Sequence, residues 1–171
     1  PDSRDDFGPF IPGIERVPFN DIKALSSIFK EKGDKIAAFL VEPIQGEAGV
    51  IVPEDNYWSQ VRILCDEHNI LLAMDEVQTG FGRTGSNFAH QLYNIKPDLT
   101  CLGKIIGGGL PVGAFGGRSE IMKNMAPVGT VYQAGTLSGN PVVMSAGIAT
   151  LNQLYNEAEY CLLYTSDAAD E

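Results

Sequence analysis

Lys104 stands in LGKIIGGGLPVG (102–113), a lysine set among apolar residues and glycines. An amine desolvated there would carry a lowered pKa and be a competent nucleophile toward a carbonyl. Asp75 and Glu76 close a second run, ILLAMDE (70–76). In parallel α/β sheets ligands bind beyond the carboxyl ends of the strands, which is where carboxylates following ILLAM would lie. Plainer readings exist for both sites. Asp75 can cap the turn that follows it, and Lys104 can lay its stem along the surface with its amine in water. A third reading makes Asp75 a Walker-B-type acid holding Mg²⁺. That needs the loop GxxxxGK[ST], and here GK at 103–104 is followed by Ile105. A nucleotide hydrolase is therefore left only if its P-loop was lost upstream.

The elements that would position these groups follow from hydrophobic spacing. Asn20 or Asp21 can cap a helix to about Lys32, with Ile22, Leu25, Ile28 and Phe29 on one face and Gly33 ending it. KIAAFLVEP (35–43) is a continuous apolar run closed by Pro43, the pattern of a strand buried on both faces. EDNYWSQVRILCDEH (54–68) predicts a second helix, with Trp58, Val61, Leu64 and Cys65 at helical spacing. NILLAMDE (69–76) predicts a buried strand, residues 98–102 and 112–116 two shorter ones, and NPVVMSAGIATLNQLYNEAE (140–159) a final helix. Alternating strands and helices imply an α/β fold with a mainly parallel sheet flanked by helices. Gly103 and Gly107–Gly109 would let backbone approach a flat ligand closely.

A lysine that attacks a carbonyl, paired with a remote carboxylate that can hold a proton on a ring nitrogen, suggests pyridoxal phosphate. VEPIQGEAGV, LLAMDEVQTGFGRTG, LGKIIGGGLPVGAFGGR and QAGTLSGNP together resemble the class III pyridoxal-phosphate aminotransferases, in order and spacing, across nearly all of residues 7–155. The resemblance implies a fragment of a fold-type-I large domain over residues 1–160, homodimeric in its parent, with sites at the subunit interface. It assigns Lys104 as the Schiff-base lysine and Asp75 as the partner of the pyridinium nitrogen. Val77 would pack under the ring, Gln78 would reach the ring hydroxyl oxygen, and Thr136 would touch the cofactor phosphate of the neighbouring subunit.

Residues 7–85 are most similar to ornithine and acetylornithine aminotransferases, where the glutamate matching Glu47 pairs with an arginine and helps switch between two substrates. Residues 97–150 are most similar to glutamate-1-semialdehyde aminomutase, which usually reads DEVMTGFR, without Gln78 and GRTG. Two explanations stand: one class III member of mixed character, or a junction near residues 86–97. Glu47 and Gln78 together favour amino transfer on an ornithine-like substrate. The substrate class is a small amino acid or amino-aldehyde. A reading of another kind makes the chain a non-catalytic piece of a domain, because the family's phosphate-binding segment and substrate-carboxylate arginine fall outside this stretch.

Composition narrows the remaining classes. A formal net charge of −10 argues against nucleic acid as a partner, since neutralising phosphates needs clustered Lys and Arg. No apolar run reaches the length of a membrane span, and the start lacks the order of a signal peptide. Cys65, Cys101 and Cys161 form no CxxC pair, which suits inert thiols in a reducing, cytoplasmic setting and predicts no metal site. His68 and His90 are expected to be structural, and Arg83 and Arg118 surface charges. CLLYTSDAADE (161–171) reads as a translated sequencing adapter and is set apart from the fold. With no initiator methionine, the chain is expected to be an internal piece of a longer reading frame.

Overall fold

The structure is a computed structural model that describes residues 7–155. The expected continuation of the last helix beyond residue 155, Cys161 and the adapter-like tail lie outside the described residues.

Helix α1 (Ile22–Lys32) starts where Asp21 Oδ1 accepts the Ala24 N–H at 2.9 Å, relieving an amide that the first turn leaves unpaired. Gly33 ends it without a left-handed residue. Its φ is −55°, and the chain tightens into a 3₁₀ turn over Gly33–Lys35. Strand β1 (Ala38–Val41) leads to α2 (Tyr57–Glu67), then β2 (Leu71–Asp75), the short α3 (Ala89–Leu92) and β3 (Leu99–Gly103). A 3₁₀ turn over Lys104–Gly107 precedes β4 (Gly113–Gly117), the short α4 (Ser119–Met122) and α5 (Pro141–Leu154). Asn140 caps α5 by accepting from Val142 N and Val143 N, with Pro141 in the first turn where its missing N–H costs nothing.

The four strands lie in the order β1-β2-β3-β4. The first three are parallel, with Ala73 opposite both Leu40 and Leu99, while β4 runs antiparallel to β3. Strand residues alternate between faces, so Leu72 and Met74 point one way and Ala73 and Asp75 the other.

The first face carries the core. Leu25 and Phe29 of α1 and Tyr57, Trp58, Val61 and Cys65 of α2 pack with Ile70, Leu72, Met74 and Ile95. Trp58 donates its indole N–H to the Pro43 carbonyl at 3.2 Å, so its one polar atom is satisfied inside the core. Burial pushes the Cys65 thiol up to about 12, as expected for an inert structural thiol.

The second face is open, which corrects the expectation of a strand buried on both sides. On β1, Phe39 and Val41 are part-buried, whereas Leu40 is 62% exposed. The apolar run fits burial on both faces, but within this chain the second face of β1 is left uncovered at Leu40.

Asp98 ties the two ends of the sheet together. Its Oδ2 accepts from Arg62 at 2.9 Å and from Leu72 N at 2.8 Å, and its Oδ1 from Arg118 at 2.7 Å. Burial pushes its carboxyl up, but the bonds from Arg118, Leu72 N–H and Arg62 outweigh that and hold it below the usual carboxylate range. Arg118, expected to be a plain surface charge, is thus a structural ion-pair partner. His68 caps α2, its N–H donating to Leu64 O, with its ring edge-on to Phe29, a structural role as expected.

Candidate active site

Because β1, β2 and β3 are parallel, their carboxyl ends, Val41, Asp75 and Gly103, lie along one edge of the sheet. Loops 42–51, 76–88 and 104–112 leave from that edge. They carry Glu47, Val77, Gln78 and Lys104, while Asp75 ends β2 and Thr136 lies elsewhere, before α5.

Asp75 is the last residue of β2, and its register partner on β3 is Cys101. Lys104 lies three positions beyond Cys101, directly after the strand. Asp75 Oδ1 accepts the Val77 N–H at 3.0 Å, so the turn-capping role considered for Asp75 is present. That is its only hydrogen bond among the described residues, which leaves Oδ2 unengaged. Burial, and next the neighbouring Asp75 carboxylate, push the Cys101 thiol up. Val77 sits over Gly103, where an added Cβ would lie 3.2 Å from Val77 Cγ1. An apolar side chain is therefore set against the residue that precedes Lys104.

Lys104 itself has φ +48°, in the left-handed region. That conformation costs an ordinary L-residue roughly 1–2 kcal/mol, and outliers of this kind concentrate at functional sites. The expectation that Lys104 is desolvated does not hold within this chain, where the residue is exposed. Nothing in the described chain covers it on its outer side.

The glycine run also plays a part different from the one expected. A Cβ on Gly108 would lie 2.7 Å from Ala146 O, and one on Gly147 would lie 2.3 Å from Ile106 O. These glycines allow the turn after Lys104 to touch α5, backbone to backbone. Gly108 and Gly147 thereby anchor the lysine loop to a helix, while Gly109 stays open beside Lys104 and Pro111.

Gln78 reaches across to the loop after β1. A Cβ on Gly46 would fall 2.2 Å from Gln78 Oε1, so only glycine admits the amide there. Gly46 N in turn donates to Glu42 Oε2 at 2.9 Å, which gives Glu42 a backbone-holding role. Glu47, the next residue, is exposed at the tip of this loop. Thr136 is exposed in the turn before α5, and no hydrogen bond joins it to Asp75 or Lys104 among the described residues. Residues beside it, Gly135 and Leu137, line a groove of about 940 Å³ with Cys101, Phe115, Met144 and Ile148. The groove runs along the open face from Cys101 and Phe115 toward α5.

Two features of the site were missed by sequence reasoning. Glu76 is fully buried, and His90 is its partner, with Nδ1 2.9 Å from Glu76 Oε1. Strand alternation is the signal that separates the adjacent carboxylates, since it sends residues 75 and 76 to opposite faces.

An acidic strand end, an apolar residue beside it, a bridging amide and a strained lysine on the next strand together define an amine–carboxylate site on a parallel α/β sheet. The class III aminotransferase family model matches residues 1–162, and the chain belongs to that family. The family depends on pyridoxal phosphate. The chain is 56% identical over 147 residues to the glutamate-1-semialdehyde 2,1-aminomutase of Desulforamulus reducens, covering 83% of this chain and 34% of that protein. It is 43% identical to the ornithine aminotransferase structure from Plasmodium yoelii, with a TM-score of 0.76 over 84% of this chain and 37% of that one. A Toxoplasma gondii ornithine aminotransferase that holds pyridoxal phosphate at partial occupancy is 37% identical, with a TM-score of 0.81, over 91% of this chain and 36% of that one. The chain thus spans about a third of the length of the relatives it matches. Both kinds of relative align over more than four fifths of it, and so run across residues 86–97. These structures carry the fold-type-I architecture, of which this chain is a fragment.

Proposed function

We propose that this chain is the cofactor-anchoring segment of an enzyme that transfers the amino group of a small amino-acid substrate, with pyridoxal phosphate held by Lys104 and Asp75. The observation that carries the reading is the left-handed Lys104, placed one strand over from an aspartate with a free oxygen. The residue chemistry fits the cofactor: a primary amine for its aldehyde, a carboxylate for its ring nitrogen, apolar Val77 for its face and the Gln78 amide for its ring oxygen. When bound, the cofactor supplies an electron sink for the substrate carbon.

The protein's own residues then have separate tasks. Asp75 holds a proton at the ring nitrogen and stabilises positive charge there as a fixed partner. Lys104 would offer its Nζ to the cofactor's aldehyde and, as a free amine, would take up the proton that the substrate carbon gives up. Val77, held against Gly103, would offer its apolar side chain to the ring. Thr136, unjoined to Asp75 or Lys104 in one copy, suits a role across a homodimer interface.

The first reading of the substrate is ornithine-like, supported by Glu47 and Gln78 on two loops that touch at Gly46. The second is an amino-aldehyde rearranged within one molecule, favoured by the 56% identity to an aminomutase. Steady-state kinetics of the intact longer protein with an ornithine–2-oxoacid pair and with glutamate-1-semialdehyde separates them. The first reading predicts turnover of the pair, with Glu47→Ala altering the balance between amino donors. Turnover of the semialdehyde alone, unaffected by Glu47→Ala, would replace it with the second.

A further inference from the structure

Glu76 is completely buried at the end of β2, and both its oxygens are engaged. Oε2 accepts from Thr79 Oγ1 at 2.5 Å and from Ala89 N at 3.0 Å. Oε1 accepts from His90 N at 2.9 Å and lies 2.9 Å from His90 Nδ1, a second hydrogen bond to the same residue. The backbone is held as firmly: Glu76 N donates to Cys101 O on β3, and Glu76 O accepts from Gly80 N, both at 2.9 Å. One side chain therefore closes the excursion from residue 76 to residue 90 from the inside. Val77 and Gln78 are the first two residues of that excursion.

Building on the functional reading above, we propose that Glu76 is the positioning residue of the site, holding Val77 against Gly103 and Gln78 against Gly46 by closing loop 76–90 around its carboxyl group. The two adjacent acids thereby divide the work. Asp75 faces the open side of the sheet, where a ligand can reach it, and Glu76 faces inward, where it is the loop's internal anchor. The arrangement requires a carboxylate and rejects an amide. Each oxygen meets one backbone N–H that cannot change role, Ala89 N at Oε2 and His90 N at Oε1. In Glu76→Gln, either orientation of the amide aims an NH₂ group at one of them, so a buried donor is left facing a donor. Thr79 and His90 Nδ1 can adjust by hydroxyl rotation or tautomer; the two amides cannot.

The test uses the intact longer protein. Hydrogen exchange is followed without cofactor over residues 77–90, and cofactor uptake and turnover are then measured on the same preparations. Glu76→Gln is expected to speed exchange of the loop amides about tenfold, the equivalent of losing one or two hydrogen bonds. It should lower kcat by roughly 10²-fold, as expected when reacting groups are misplaced by about 1 Å. Asp75→Asn, whose Oδ1 can still accept from Val77 N, should keep the loop protected while impairing the cofactor's ring nitrogen. Should Glu76→Gln not fold, Thr79→Val and His90→Ala each remove one of the four bonds and should loosen the same loop to a smaller degree. Wild-type exchange in Glu76→Gln, or in both substitutes, overturns the proposal. If the unmutated protein takes up no pyridoxal phosphate, the functional reading fails, while the exchange data still decide whether Glu76 anchors the loop.

Discussion

The two faces of the sheet contrast sharply in completeness. On the α1/α2 side, Leu25, Phe29, Trp58, Val61, Leu72 and Met74 form a closed core with its polar atoms satisfied. On the α5 side, Phe115, Met144 and Ile148 stay exposed along an open groove, and Leu40 is exposed as well. The first half of the chain makes its own core, and the second offers apolar surface that this chain does not cover. Lys104 and Asp75 sit where the two meet. A rigid strand edge fixes the aspartate, and an uncovered loop carries the lysine.

The largest expected effect tests that contrast directly. In the 171-residue chain, Trp58→Ala should cost about 4 kcal/mol, the usual range for an aromatic removed from a closed core. Ile148→Ala, on a residue 57% exposed, should change stability by less than about 0.5 kcal/mol. Urea midpoints measure both, and equal losses would erase the distinction between the faces.

A smaller effect is expected at Asp98, which joins α2 and the end of β4. Asp98→Asn should cost about 3 kcal/mol at neutral pH, because it leaves the guanidinium of Arg62 without its buried partner. The folded-state pKa of Asp98 lies below its ordinary value, so its contribution is fully present above the ordinary aspartate pKa and lost as pH falls through the folded value. Urea unfolding at pH 7 and in acid should therefore show the wild-type advantage over Asp98→Asn large at the first and shrunken at the second. A gap independent of pH would assign the loss to packing instead.

Much of this was legible in the sequence, for reasons that differ by residue. The four strands and three long helices followed from apolar runs and from a cap at Asn20 or Asp21, because local spacing reports burial and terminal hydrogen bonds. The same run that marked β1 misled about its second face, because a sequence records how a strand is packed in the whole protein and not what covers it in a shorter chain. Lys104 stood out by its neighbours, yet its positive φ and its exposure were invisible, since both depend on how the following glycines dock on α5. Asp98 was overlooked because Arg62 and Arg118 lie far from it along the chain and reach it only through tertiary packing, one from α2 and the other from the end of β4. The short α3 and α4 are too brief to show periodicity.

The central claim is that Lys104 is the amine that binds the cofactor, and reductive trapping tests it most directly. The intact protein would be loaded with pyridoxal phosphate, reduced with borohydride, digested, and its peptides weighed. The account predicts a single phosphopyridoxyl addition on the peptide containing Lys104, absent from Lys104→Ala. Addition at another lysine, or the same yield from Lys104→Ala, would contradict it.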